Sequence, residues 1–349
     1  MDMNGLHLEL DIPGLGAALE ALAIPRCLNA DVAHLIIEQV ASVNGRAPDL
    51  AQSLLHTSLI QLDAEQNWYL DPAVRDHFLA SLASAPERLR DLAQQVARVA
   101  PVPSNGTLAS LDLGWLEALA EETSGYEKLR RVFDGDEPED AEHRRVLVRQ
   151  IGVVGPYLTR AGAVQGRGFA FILGMVKYRQ RRYAEAQQYF SVVVRSPIRD
   201  LDQAISFHLL GHIRVHQGTR DAEAEQLYRE SLEIGEELNV RFHVAQVKHS
   251  LANLLSRSRD RWAEAEQLYR ESLEILEEMH NRVGVAQVTL NLARLLLSWG
   301  GQARLAEAAE LARRSVTLNQ ELRLRRFSER GEQVLLEIDE ALRQAGEGE

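Results

Sequence analysis

The feature that most constrains this chain is a near-verbatim internal repeat. Residues 222–234 read AEAEQLYRESLEI, and residues 263–275 carry the same thirteen letters at an offset of 41. The offset extends upstream. Val244-Ala245-Gln246-Val247 recurs as Val285-Ala286-Gln287-Val288, and Leu251-Ala252 recurs as Leu292-Ala293, foreshadowed by Leu210-Gly211. Weaker copies flank these, in Ala184-Glu185-Ala186 and Ala306-Glu307-Ala308. A fixed period of this length marks an array of small helical units, each of which buries its apolar face only by stacking on its neighbours.

Each unit holds two helical patterns. Ala224, Leu227, Tyr228, Ser231, Leu232 and Ile234 fall at helical spacings on one face, with Glu223, Glu225, Arg229, Glu230 and Glu233 as polar surface. Leu251, Ala252, Leu254 and Leu255 cluster in the other half-unit. Gln217-Gly218-Thr219, Ser258-Arg259-Asp260 and Gly300-Gly301 separate the halves as turns. This predicts helix pairs over about 165–195, 200–238, 241–279 and 282–321. Leu335, Leu336, Ile338 and Leu342 predict one further amphipathic helix, a cap for the array, with Arg323, Arg325, Arg326 and Arg330 as its polar face. A basic binding patch is the alternative reading of those arginines.

These motifs resemble the tetratricopeptide (TPR) repeat family. The Leu-Gly or Leu-Ala pair suits its closely packed first helix, and Ala-x-Ala followed by an aromatic residue, as in Ala224 and Tyr228, suits its second. The period exceeds the usual 34 residues and is closer to the long repeats of kinesin light chains and of STAND-type bacterial signalling proteins. The resemblance implies an α-solenoid whose inner, concave face is lined by the first helix of each pair and holds a protein or peptide partner.

The Leu-Gly and Leu-Ala pairs set the register of that inner face. Two residues before each Leu stand His208, His249 and Leu290; two after stand His212, Asn253 and Arg294; four further stand His216, Arg257 and Ser298. They share a helix face and vary where the core repeats. With Gln246, Gln287 and Asn291, all of these but Leu290 form the candidate partner-binding groove. Asn253 resembles the groove asparagine of TPR proteins that grip extended backbones, since an amide both donates and accepts. Arg294 offers a fork for a carboxylate. His208, His212 and His216 also have the four-residue spacing by which imidazoles share zinc. No HExxH glutamate accompanies them, so the expectation is no metal and no cofactor.

Residues 1–100 lack the period. Helical patterns at about 14–23, 31–42 and 48–57 precede two short strands, Leu59-Ile60-Gln61-Leu62 and Trp68-Tyr69-Leu70, and a helix begun by Asp71-Pro72 that runs to about 82. Three helices, a hairpin and a helix resemble the winged helix of STAND signalling ATPases. Residues 47–74 contain no Lys or Arg but carry Asp49, Asp63, Glu65 and Asp71, a surface that would repel phosphates. No GxxxxGK[ST] segment for nucleotide is present. Gly166-Arg167-Gly168 lacks the preceding strand and the third glycine of a nucleotide fingerprint.

The expected organisation is therefore mostly α: a small winged-helix-like α+β domain at 1–100, a helical connector at 101–162, TPR repeats at 163–321 and a capping helix with tail at 322–349. The connector holds helical stretches near 112–133 and 141–160 around an acidic loop, Asp134 to Asp140, which lacks the ligand spacing of an EF-hand. Net charge of −12 disfavours a dedicated nucleic-acid binder. Only three residues are Lys, at 128, 177 and 248, a bias expected of GC-rich, bacterial coding. The single cysteine, Cys27, excludes an internal disulfide and lies in no hydrolase signature. No apolar run is long enough to span a bilayer, and no signal peptide opens the chain, so a cytoplasmic location is expected. The functional expectation is a non-catalytic adaptor or sensor in a signalling or defence assembly. A winged-helix transcription regulator and a hydrolase based on Cys27 or a histidine-bound metal are the rivals.

Overall fold

The computed structural model describes residues 15–25, 30–41, 47–55, 59–62, 68–99, 115, 118–119, 141–160, 164–218 and 221–346. The chain divides into two compact units, Met1–Val193 and Val194–Glu349.

In the first unit, α1 (Leu15–Ala23) is followed by α2 (Ala30–Leu35), which ends in a π-helical turn at Ile36–Val40, and by α3 (Ala47–Leu55). Strands β1 (Ile60–Leu62) and β2 (Trp68–Leu70) pair antiparallel with Ile60 opposite Leu70. Helix α4 (Pro72–Ala83) starts where Asp71 caps it, its carboxylate accepting from the backbone N–H groups of Ala73 and Val74. Proline at the first helical position needs no hydrogen-bond acceptor there. Three helices, a hairpin and a helix thus stand in the expected order.

A helix not anticipated from the sequence, α5 (Pro86–Val99), follows directly, and α6 (Ala141–Arg160), α7 (Val164–Arg179) and α8 (Tyr183–Val194) complete the unit. Leu19, Ile37, Leu54, Trp68, Leu79, Val96, Trp115, Ile151 and Phe169 share one core, so α7 packs into the same interior as the N-terminal helices. Arg75, the first cation after the stretch 47–74, is buried. Its guanidinium donates to the carbonyls of Ala23 and Ile24, and the Trp115 indole N–H also donates to Ile24. These bonds satisfy carbonyls that the C-terminus of α1 leaves without helical partners. Gly166, Arg167 and Gly168 lie within α7.

The second unit is the regular array: α9 (Leu201–Gln217) with α10 (Asp221–Glu237), α11 (Arg241–Leu255) with α12 (Trp262–Glu278), α13 (Arg282–Trp299) with α14 (Gln302–Glu321), and the terminal α15 (Arg325–Gly346). All four predicted pairs, counting α7 with α8, are present. Each second helix is pinned to its own first helix by a fully buried serine. Ser231 donates to the carbonyl of Ala204, Ser272 to that of Ala245 and Ser315 to that of Ala286, each at 2.7 Å. The acceptors keep the 41-residue step. The last serine lies 43 after the one before it, and the two extra residues are taken up along α13 and α14, which are longer than α11 and α12 and are joined by only Gly300 and Gly301. Both glycines have positive φ there, so this two-residue turn uses backbone conformations that other residues rarely adopt. Helix α15 packs on α14 and α13 through Val334 and Ile338. Leu336, assigned to that same apolar face, points outward and is 63% exposed.

Candidate functional site

The inner-face positions separate into a buried seam and an open pocket. The seam lies between α9 and α11. His208 is buried, and its Nε2 is 2.9 Å from the Ser250 Oγ and 3.2 Å from the His212 Nε2, which is itself 3.2 Å from the same hydroxyl. Both rings stack edge-on against Tyr228 of α10. His243 is also buried, with its Nε2 2.9 Å from Ser231 Oγ, the hydroxyl that already pins α10 to α9. Burial holds the His208 imidazole well below its usual range, helped by the neighbouring imidazoles of His212, His243 and His249. Burial also lowers His212, and it brings His243 and His249 down to about 4, with His212 adding to the effect on His249. The seam is a row of neutral imidazoles.

The open pocket lies between α11, α12 and α13. It has a volume of about 450 Å³ and is lined in part by Asn253, Arg257, Tyr269, Asn291, Arg294 and Ser298. The Asn291 Nδ2 donates to Asn253 Oδ1 at 2.9 Å and stands 2.8 Å from the His249 Nε2, while Tyr269 OH donates to Asn253 Oδ1 at 2.6 Å. Burial raises the Tyr269 phenol to about 12, against the lowering effects of Ser256 and of the nearby Arg294 charge, so it remains a donor at neutral pH. Arg257 is neutralised by Asp221 at 3.2 Å. Arg294 is exposed, and among the described residues it has no acidic partner.

Five of the eleven groove positions read from the sequence thus meet in one pocket: Asn253, Arg257, Asn291, Arg294 and Ser298. His249 stands behind it, and His208 and His212 belong to the seam. His216, Gln246 and Gln287 are exposed and line neither. Sequence reasoning missed Ser250, His243 and Tyr269. Ser250 stands in the column Leu209, Ser250, Asn291 at the repeat offset, which varies as the chosen columns do. Tyr269 reads as a core aromatic because its ring is core; only its hydroxyl reaches the pocket. Among the described residues no group of three or more His, Cys, Asp or Glu side chains is arranged to hold a metal ion. Cys27 and the acidic run 134–140 lie outside the described residues.

Comparison with known proteins agrees with the repeat assignment. Residues 202–278 match the family model described as tetratricopeptide repeat, a span that covers α9 to α12. No curated protein matches this chain. Among solved structures, BtubC (BKLC) from P. vanneervenii is similar at 20% identity over 64% of this chain and 85% of that one, with a TM-score of 0.36. A Signal Transduction ATPase with Numerous Domains (STAND) protein with a tetratricopeptide repeat sensor, from Pyrococcus horikoshii, is similar at 12% identity over 95% of this chain and 54% of that one, with a TM-score of 0.46. A Rap protein complexed with competence and sporulation factor is similar at 11% identity over 95% and 99%, with a TM-score of 0.38.

Proposed function

We propose that this tetratricopeptide-repeat chain is a non-catalytic adaptor or sensor that holds a peptide-like segment of a partner protein in the pocket between α11, α12 and α13. The observation that carries the reading is Arg294. Most guanidinium groups of the array are matched with carboxylates, as in Arg229–Glu264 at 2.8 Å, Arg270–Glu307 at 2.7 Å and Arg261–Glu225 at 3.0 Å. Among the described residues Arg294 lacks such a match, and it opens onto a cavity whose other polar groups are amides, hydroxyls and the Arg257 guanidinium that Asp221 pairs. A free fork beside paired amides suits a carboxylate on an extended backbone: the guanidinium takes the charge, and the amides take the peptide groups.

The assembly served, signalling or defence, belongs to the same proposal and rests on the resemblance to STAND-type sensors alone. A DNA-binding regulator is disfavoured by the absence of Lys and Arg from residues 47–74 and by the burial of Arg75.

The test is selection of a displayed peptide library against the full chain, followed by calorimetric titration of the selected peptides. The Asn253→Ala, Arg294→Glu double variant should lose on the order of 2–4 kcal/mol of binding, as other charge-assisted contacts do. Undiminished affinity in a folded double variant would move the site elsewhere.

A further inference from the structure

The amides of the pocket are not free to turn. Asn291 Nδ2 has two hydrogens. One meets Asn253 Oδ1 at 2.9 Å and the other meets His249 Nε2 at 2.8 Å. Asn253 Oδ1 in turn receives Tyr269 OH at 2.6 Å. This chain fixes which end of each amide is left over: the oxygen of Asn291 and the nitrogen of Asn253, one acceptor and one donor. A peptide unit of an extended segment offers one donor and one acceptor in return.

We propose that His249 is a positioning residue: its Nε2 lone pair fixes the amide orientations of Asn291 and Asn253, and so sets which hydrogen-bonding groups the pocket presents. The inference rests on the reading of this pocket as the binding site only for its consequence, since the orientation itself exists without a ligand. Asn291 Nδ2 is donor-only, so the bond at 2.8 Å requires His249 Nε2 to accept, which only a neutral imidazole with its proton on Nδ1 can do.

The groups around His249 hold it in that state. From α9 it is faced by His208 and His212, and from α12 by the Tyr269 ring at 5.9 Å. From α13 come Asn291 and, beyond Tyr269, the Arg294 charge. On its own helix, Lys248 is engaged with Glu271 and Glu236. The titratable groups that face it are thus neutral or cationic, and a proton on His249 would gain no counter-charge from them.

Protonation would place an N–H against an N–H. Asn291 would then have to turn its oxygen to His249 and its nitrogen to the pocket, and Asn253 would lose a donor. The pocket would present two donors beside Arg257 and Arg294, a pattern suited to an oxyanion rather than to a peptide unit. His249 therefore couples proton binding to what the pocket can recognise.

The test uses the ligand-free full chain with ¹⁵N-labelled asparagine, and reads side-chain amide hydrogen exchange by NMR at neutral pH. His249→Phe keeps a ring but removes the lone pair, and should speed exchange of the Asn291 side-chain amide at least about tenfold, the equivalent of one lost hydrogen bond. His249→Gln keeps an acceptor and should restore protection. Circular dichroism confirms that each variant is folded; if His249→Phe is not, the wild-type and His249→Gln titrations decide. As pH falls, the Asn291 resonances of the wild type should move with the His249 imidazole, and those of His249→Gln should stay. Unchanged exchange in folded His249→Phe, or the same pH-dependent movement in His249→Gln, would overturn the proposal. Because no ligand is present, this outcome is independent of whether a peptide binds.

Discussion

Gly211 shows how one absent methyl sets a helix pair. A Cβ built at this position would come 2.4 Å from the Tyr228 ring, which is itself buried against His208 and His212. Gly174 meets Phe190 in the same way in the α7–α8 pair, at 2.6 Å. The Leu-Gly motif therefore reads correctly from sequence as a site of close approach. In the next pair Ala252 holds the place, so the spacing of each pair is tuned to its own residue. Gly211→Ala should destabilise the fold by about 1 kcal/mol, overpacking of ~1–3 kcal/mol set against a helix-propensity gain of ~1 kcal/mol. Gly152 of α6 is the control. It is exposed, with nothing among the described residues near its missing Cβ, and Gly152→Ala should stabilise by ~0.5–1 kcal/mol. Denaturant midpoints that move in the same direction for both variants would refute the close-approach account. Two of the three residues that sequence reasoning missed share one cause. Tyr269 and His243 are core by position and polar by one atom, and a periodicity argument assigns a whole side chain to one side.

At the scale of elements, the second helices end in a recurring device. Asn239, His280 and Arg323 adopt left-handed backbone conformations, at φ of 53, 55 and 57°. Around each, two backbone bonds close the helix: Asn239 N–H to Glu236 and Val240 N–H to Gly235 in the first, with His280 to Glu277 and Asn281 to Leu276, then Arg323 to Gln320 and Leu324 to Asn319. These are Schellman caps, which ordinarily recruit glycine at the left-handed position. None of the three is glycine, so each carries a steric cost of roughly 1 kcal/mol. His280 is exposed, and His280→Gly should therefore raise stability by ~0.5–1 kcal/mol in denaturant unfolding. A loss would show that the imidazole contributes more than its backbone costs. The absence of glycine also explains why these turns were harder to read than Gly300-Gly301, although the repeat period located them. Helix α5 escaped notice for a different reason. The link from α4 is only Ser84 and Ala85, and the Ser84 N–H still bonds to Ala80 as in a continuing helix. The sequence therefore shows no loop-like interval to announce a new element. Leu336 was misplaced because Leu335, Leu336, Ile338 and Leu342 are too many apolar residues for the face α15 buries; one of them had to point away.

At the scale of the whole molecule, the two units differ in how they should respond to acid. The second unit buries His208 and His243 and half-buries His212 and His249, all within or beside one seam. The described histidines of the first unit, His34 and His77, are half-buried and exposed. Burial lowers His243 and His249 from 6.5 to about 4 in the folded chain, with His212 also contributing to the shift at His249. Between those values the unfolded chain binds protons that the folded chain refuses. Stability is thus fully present above about pH 6.5, falls as pH drops through the window, and stops falling from this source below about 4. Each of the two shifts corresponds to a loss on the order of 3 kcal/mol across the window, comparable to a large fraction of a domain's net stability. Urea unfolding of the full chain at pH 7.5, 6 and 5 should show a falling midpoint. Hydrogen exchange, corrected for intrinsic rates, should assign the loss to α9 through α13 and leave α1 through α5 protected. Replacing His243 and His249 together by Gln should make the dependence shallower, leaving the part that His208 and His212 contribute, even if it lowers stability at neutral pH. A midpoint that holds steady to pH 5 in the wild type would mean that the imidazoles take up protons in place, and that the seam between α9 and α11 is far more open to water than its packing shows.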